Sequence, residues 1–83
     1  MRKILICLEI PSVGRKYEIY VPNYVKICEL ISLLSEAAAE LTGHLYSSSG
    51  AEILCSVEQQ IVLDDNRTLN DYLIGDGDHL MMM

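Results

Sequence analysis

Three cysteines and two histidines are the first places to look for a nucleophile, a metal site or a base working near neutral pH. Cys7, Cys28 and Cys55 are odd in number and widely spaced, with no C-x-x-C pair, so neither a redox motif nor a disulfide framework is written into them. Cys28 and Cys55 sit among apolar residues, and the expectation is that they pack in or beside the core as small side chains. His44 and His79 each adjoin a turn and lack a Cys or His at ligand spacing, so solvated loop positions are expected. Gly75-Asp76-Gly77-Asp78 offers two carboxylates but no bidentate Glu closing a twelve-residue loop, which makes it a turn rather than a calcium site. Asp64, Asp65 and Asp71 read as loop and cap residues, with Thr68 as N-cap and Asp71 three residues later completing a capping box. Ser47-Ser48-Ser49-Gly50 lacks the G-x-S-x-G elbow of a serine nucleophile. No catalytic constellation results, and neither an enzyme nor a bound cofactor or metal is expected.

A length of 83 residues allows one small domain, residues 1–83, with a single core. Half of the residues are hydrophobic, at 51%, which excludes a disordered chain. Six basic against twelve acidic residues give a net charge of −6. That field repels phosphate backbones, so nucleic acid is a poor partner and a basic protein surface a suitable one. No apolar run reaches the ~20 residues of a membrane span. Met1-Arg2-Lys3 leads straight into strand-like sequence, and Ile4 to Leu8 is too short for a signal h-region. A cytoplasmic protein without direct membrane insertion is therefore expected.

The elements follow from periodicity. Ile4, Ile6, Leu8 and Ile10 alternate with Lys3, Leu5, Cys7 and Glu9, which predicts a half-buried strand. Pro11-Ser12-Val13-Gly14 supplies a turn into a second strand from Tyr17 to Pro22, closing a hairpin. Ile27, Leu30, Ile31, Leu34, Ala38 and Leu41 then line one side of a helix from about Val25 or Lys26 to Thr42, with Gly43 as terminator. After a polar connector, Glu52 to Val57 and Gln60 to Leu63 predict short strands, with Ile53 and Cys55 facing in and Leu54 facing out. Thr68 to Tyr72 predicts a tight helical turn, and His79 to Met83 a fifth strand. The order is β-β-α-β-β-β, an α+β arrangement with one main helix across a mixed five-stranded sheet.

Two stretches carry a family resemblance. Leu63, Arg67-Thr68-Leu69, Asp71-Tyr72, Ile74 and Leu80 stand at the spacing found in ubiquitin, which implies a β-grasp (ubiquitin-like) fold. It also implies a Tyr72 hydroxyl that ties the preceding loop onto the turn, and core roles for Leu69, Ile74, Leu80 and Met82. Val21-Pro22-Asn23-Tyr24 before Ile27 and Leu30-Ile31, together with Asp71-Tyr72-Leu73-Ile74-Gly75-Asp76-Gly77-Asp78-His79-Leu80, resembles the YukD/EsaB proteins. These are bacterial ubiquitin-like components of type VII (WXG100, ESX-type) secretion systems. The resemblance implies an accessory protein in the cytoplasm, held at the inner face of the membrane through a partner such as a secretion ATPase or the channel component. Ubiquitin and the sulfur carriers act through a Gly-Gly end, and the last residues here are apolar. Docking is accordingly expected in place of conjugation, with a modifier or sulfur carrier as the competing reading. A regulatory domain cut from a larger membrane protein is a third.

Strand alternation also predicts a binding surface. With Leu80 and Met82 turned to the helix, Met81 and Met83 face away, joined by Leu5 and Leu54 on neighbouring strands. Such an exposed apolar patch marks an interaction site, for another protein or for a second copy as a homodimer. Glu9, Glu52 and Glu58 are its expected acidic rim.

Overall fold

The structure, a computed structural model, describes residues 3–83; the start at Met1-Arg2, read above as leading into the first strand, lies outside the described residues. The chain forms β1 (Lys3–Ile10), β2 (Arg15–Pro22), α1 (Ile27–Leu41), β3 (Leu54–Ser56), β4 (Ile61–Val62) and β5 (His79–Met82). The five strands make one sheet in the order β2-β1-β5-β3-β4. β1 and β5 run parallel and the other pairs antiparallel, so the sheet is mixed. This is the expected β-grasp architecture.

Each element has a local cause. The β1–β2 hairpin turns through a single helical turn at Pro11–Val13, which Gly14 closes at φ 64. A left-handed residue is needed there, and glycine adopts it without a Cβ clash. Inside the hairpin Ile4, Ile6, Leu8 and Ile10 are at most 1% exposed, the inward half of the alternation. Helix α1 begins without a side-chain cap, because Lys26 at the N-cap has no acceptor to offer. Its first N–H groups bond instead to backbone carbonyls, Ile27 N–H to Arg67 O at 2.8 Å and Cys28 N–H to Asp65 O at 3.2 Å. These bonds satisfy donors that the helix itself leaves open, and they weld α1 to the late loop.

Ile27, Leu30, Leu34 and Ala38 of α1 are buried as expected. Leu41, at the last turn, is 49% exposed, and Ser35 takes a place in the buried stripe with its hydroxyl 3.9 Å from Met82 Sδ. The turn before β5 also forms as expected, at Asn70–Tyr72. Thr68 N–H donates to Asp71 Oδ2 at 2.9 Å and Asp71 N–H to Thr68 Oγ1 at 3.2 Å, the reciprocal capping pair. Tyr72 Oη accepts from Asp64 N–H at 2.9 Å, the tie from loop to turn.

The third strand departs from expectation in phase. Leu54 is fully buried, while Ile53 is 40% exposed and Cys55 half-buried on the outer side. Leu54 pairs with Met82 and Ser56 with Leu80, and directly paired residues share a face. Since Met82 and Leu80 point to the helix, Leu54 must too. Ile53-Leu54-Cys55 is apolar at every position, so its own alternation cannot set the phase.

Candidate interaction surface

The face of the sheet away from α1 carries the surface of interest. Register places Lys16, Glu9, Met81, Cys55 and Val62 in one line across all five strands. Met83 and Ile53 stand beside that line, joined by reciprocal backbone bonds of 3.0 and 2.8 Å. On β1 and β2 the neighbouring positions are Leu5 opposite Tyr20 and Cys7 opposite Glu18, with His79 of β5 next to Cys7. Exposure is highest toward the two edges of the sheet, with Tyr20 on β2 at 70% and Val62 on β4 at 58%, and Met83 is 54% exposed.

Three of the four apolar residues expected on this face are there: Leu5, Met81 and Met83. Leu54 is not, because it lies in the core. Ile53, Cys55 and Val62 complete the patch, and sequence reasoning missed them. No local signal was available, since only pairing to β5 assigns β3 its outward residues.

The acidic rim also needs correction. Glu9 lies on the outer face between Lys16 and Met81. Glu58 lies at its border, accepting from His79 N–H at 2.9 Å and meeting His79 Nδ1. The hydrogen bond from the His79 side chain lowers the Glu58 pKa from its ordinary value. His79 is thus a strand residue with a carboxylate partner rather than a loop residue. Glu52 sits elsewhere, in the connector beside α1. Its Oε2 accepts from Ser49 N–H at 2.6 Å and Tyr46 Oη at 2.9 Å, and Oε1 accepts from Ser48 Oγ at 3.1 Å. These bonds, led by that from Ser49, hold its carboxyl down at about 2. Glu52 is therefore a structural clasp rather than part of the rim.

Cys28, expected in or near the core, is exposed on α1, one position past the buried Ile27. It borders an open depression shared with Ser32, Glu36 and Glu52. Among the described residues no three His, Cys, Asp or Glu side chains gather as a metal site. Among them, too, no helix is long and apolar enough to cross a membrane.

Comparison with solved structures agrees with the fold. The EccD5 ubiquitin-like domain from Mycobacterium xenopi is similar at a TM-score of 0.82 and 16% identity, over 100% of this chain and 94% of that one. The ubiquitin-like domain of the Mycobacterium tuberculosis type VII secretion system protein ECCD1 is similar at 0.79 and 14%, over 100% and 99%. A ubiquitin-like domain of the Arabidopsis thaliana protein At2g32350 follows at 0.69 and 20%, over 100% and 78%. At such identities the likeness establishes the ubiquitin-like fold and no more. A search of the curated proteins finds no match. The WXG100 protein secretion system (Wss) YukD family matches residues 6–82, nearly the whole chain. By that match the chain belongs to the YukD family of ubiquitin-like proteins.

Proposed function

We propose that this protein is a non-covalent docking module of a WXG100-type secretion machine, working on the cytoplasmic side and binding a more basic protein surface. A cytosolic domain of the secretion ATPase or of the membrane channel component is the partner class. Family membership supports the setting, and one observation carries the mode of action. A contiguous set of apolar side chains, with Ile53, Val62 and Met83 exposed and Met81 half-buried between them, occupies the sheet face that α1 leaves uncovered. Single exposed apolar residues are ordinary, but a contiguous group on one face marks an interaction site. Methionines suit such a surface because their unbranched, polarisable side chains adapt to irregular partners. Glu9, Glu18 and Glu58 at its borders, within a net charge of −6, favour a basic counterpart.

The test is affinity purification from cells that carry the machine, with wild type and the Ile53→Asp/Met83→Asp double variant as baits. Wild type should recover a subunit of the machine. The double variant should stay folded and lose at least tenfold in affinity, the scale expected when buried anchors are replaced by charge. Equal recovery by a folded double variant would refute the proposed face. A covalent adduct on the recovered partner, read by intact mass, would replace docking with conjugation.

A further inference from the structure

The edge of the sheet at β2 is open, and its backbone geometry is specific. Cys7 N–H donates to Asp78 O at 2.9 Å and Gly77 N–H to Leu5 O at 2.8 Å, so the odd-numbered residues of β1 point their backbone toward β5. Its even-numbered residues therefore serve β2, where Ile6 meets Ile19 and Leu8 meets Tyr17. It follows that Tyr17, Ile19 and Val21 spend their backbone groups on β1, while Lys16, Glu18 and Tyr20 present theirs outward. Among the described residues no strand takes up that edge, although β2 is eight residues long. A long unpaired edge is a template for another strand.

We infer that the protein pairs with a second copy of itself along this edge, β2 against β2, antiparallel about a two-fold axis through Tyr17. Symmetry and charge select that register. Only Lys16, Glu18 and Tyr20 can exchange backbone bonds, so the allowed registers differ by steps of two residues. With Tyr17 on the axis, Lys16 of each copy stands opposite Glu18 of the other, giving two ion pairs on the outer face. One step along, Glu18 meets its own copy, which is repulsive. A further step sets Glu18 opposite Tyr20 and Lys16 opposite Pro22, with no ion pair. The contact is isologous and closes at two copies, so it does not propagate into a filament.

A second observation points to the same place. Leu33, Ala37 and Leu41 follow one another at four-residue spacing along α1, and Leu33 and Leu41 are 50% and 49% exposed. The line ends over β2, where Tyr17 Oη donates to Leu41 O at 3.3 Å. In the paired arrangement Tyr17 meets its own copy on this helix-side face, and the Leu41 end of each apolar line borders the axis. Apart from the two ion pairs at the β2 edge the outer sheet face stays clear, and Ile53, Val62, Met81 and Met83 lie away from the axis, so the dimer would present two docking surfaces in one ten-stranded sheet.

Sedimentation velocity on the full chain, up to about 1 mM, tests the inference. Wild type should dimerise, and Lys16→Glu and Glu18→Lys should each weaken it about tenfold by setting like charges opposite one another twice per dimer. The Lys16→Glu/Glu18→Lys exchange should restore wild-type association, because both pairs re-form with signs reversed. A wild type that is monomeric throughout, single variants that dimerise unchanged, or an exchange that fails to recover would each overturn it. Both positions are exposed, so the variants should fold, and circular dichroism checks this. Cross-linking gives an independent reading in a chain with Cys7, Cys28 and Cys55 changed to Ser. Tyr17→Cys should form an intermolecular disulfide across the axis, where Cα atoms of a pair without hydrogen bonds lie about 4.5 Å apart. Tyr20→Cys, which faces Gly14 of the other copy, should not. The reverse pattern excludes this register.

Discussion

Glu52 holds the connector between α1 and β3 with a single carboxylate. Bonds from the Ser49 N–H, the Tyr46 hydroxyl and the Ser48 hydroxyl converge on it, and the ionised form is favoured so strongly that its pKa falls to about 2. Tyr46 answers in the opposite sense: burial raises its pKa, and the neighbouring Glu52 raises it further. A depressed carboxylate stabilises the folded state above its unfolded pKa, near 4.5, and that contribution fades as pH falls through about 2. Glu52→Gln should therefore lower stability at neutral pH by about 1 kcal/mol, a value discounted because solvent reaches the group. Chemical denaturation should show the gap between variant and wild type closing between about pH 4.5 and 2. A constant gap across that range would leave Glu52 without its charge-dependent role. Little of this was legible beforehand, because Ser47 to Gly50 reads only as a polar connector and its contacts with Glu52 depend on how the loop folds back.

At the scale of elements, phase is the main lesson. The hairpin and α1 declare most of their buried faces through periods of 2 and 3.6, with Ser35 inside and Leu41 outside as the exceptions on α1. Ile53-Leu54-Cys55 does not, and its direction is imposed from outside by β5. The consequence is a sharp contrast between adjacent residues. Leu54→Asp buries a charge in the core and should cost about 4 kcal/mol or more, a large share of the ~5–15 kcal/mol that holds a small domain folded. Ile53→Asp, with its side chain outward, should change stability by about 1 kcal/mol or less. Thermal unfolding of the two variants measures this, and equal losses would contradict the assigned phase. The turn ahead of β5 behaved otherwise, with the Thr68–Asp71 pair and the Tyr72 tie forming as anticipated. The Thr68–Asp71 bonds span three residues, so spacing stands in for geometry, whereas the Tyr72 tie was what the resemblance to ubiquitin implied.

For the molecule as a whole, the proposed docking assigns net charge and the uncovered sheet face separate parts in recognition. A net charge of −6 would act at long range and set how often a basic partner is met, while Ile53, Met81 and Met83 would act at contact and set how long it stays. Raising salt from about 0.05 to 0.5 M should slow association with the recovered partner several-fold, because the screening length shrinks to a few ångströms. Dissociation should change little. Surface plasmon resonance separates the two rates, and an association rate indifferent to salt would remove charge from the mechanism. Dimerisation at the β2 edge would add avidity toward a partner that itself occurs in several copies.

Residue types and spacing were enough for the element order, most of the buried face of the hairpin and of α1, and the capped turn before β5, all of which depend on contacts between residues close along the chain or on a strong period. The family was legible from the likeness of its motifs. Tertiary structure alone decided that Leu54 lies inside, that Ile53, Cys55 and Val62 lie outside, that Cys28 meets solvent, and that Glu52 clasps a loop instead of rimming a surface. Each of those outcomes depends on which strand or loop lies alongside, and no spacing within a short, uniformly apolar or polar segment encodes its neighbour.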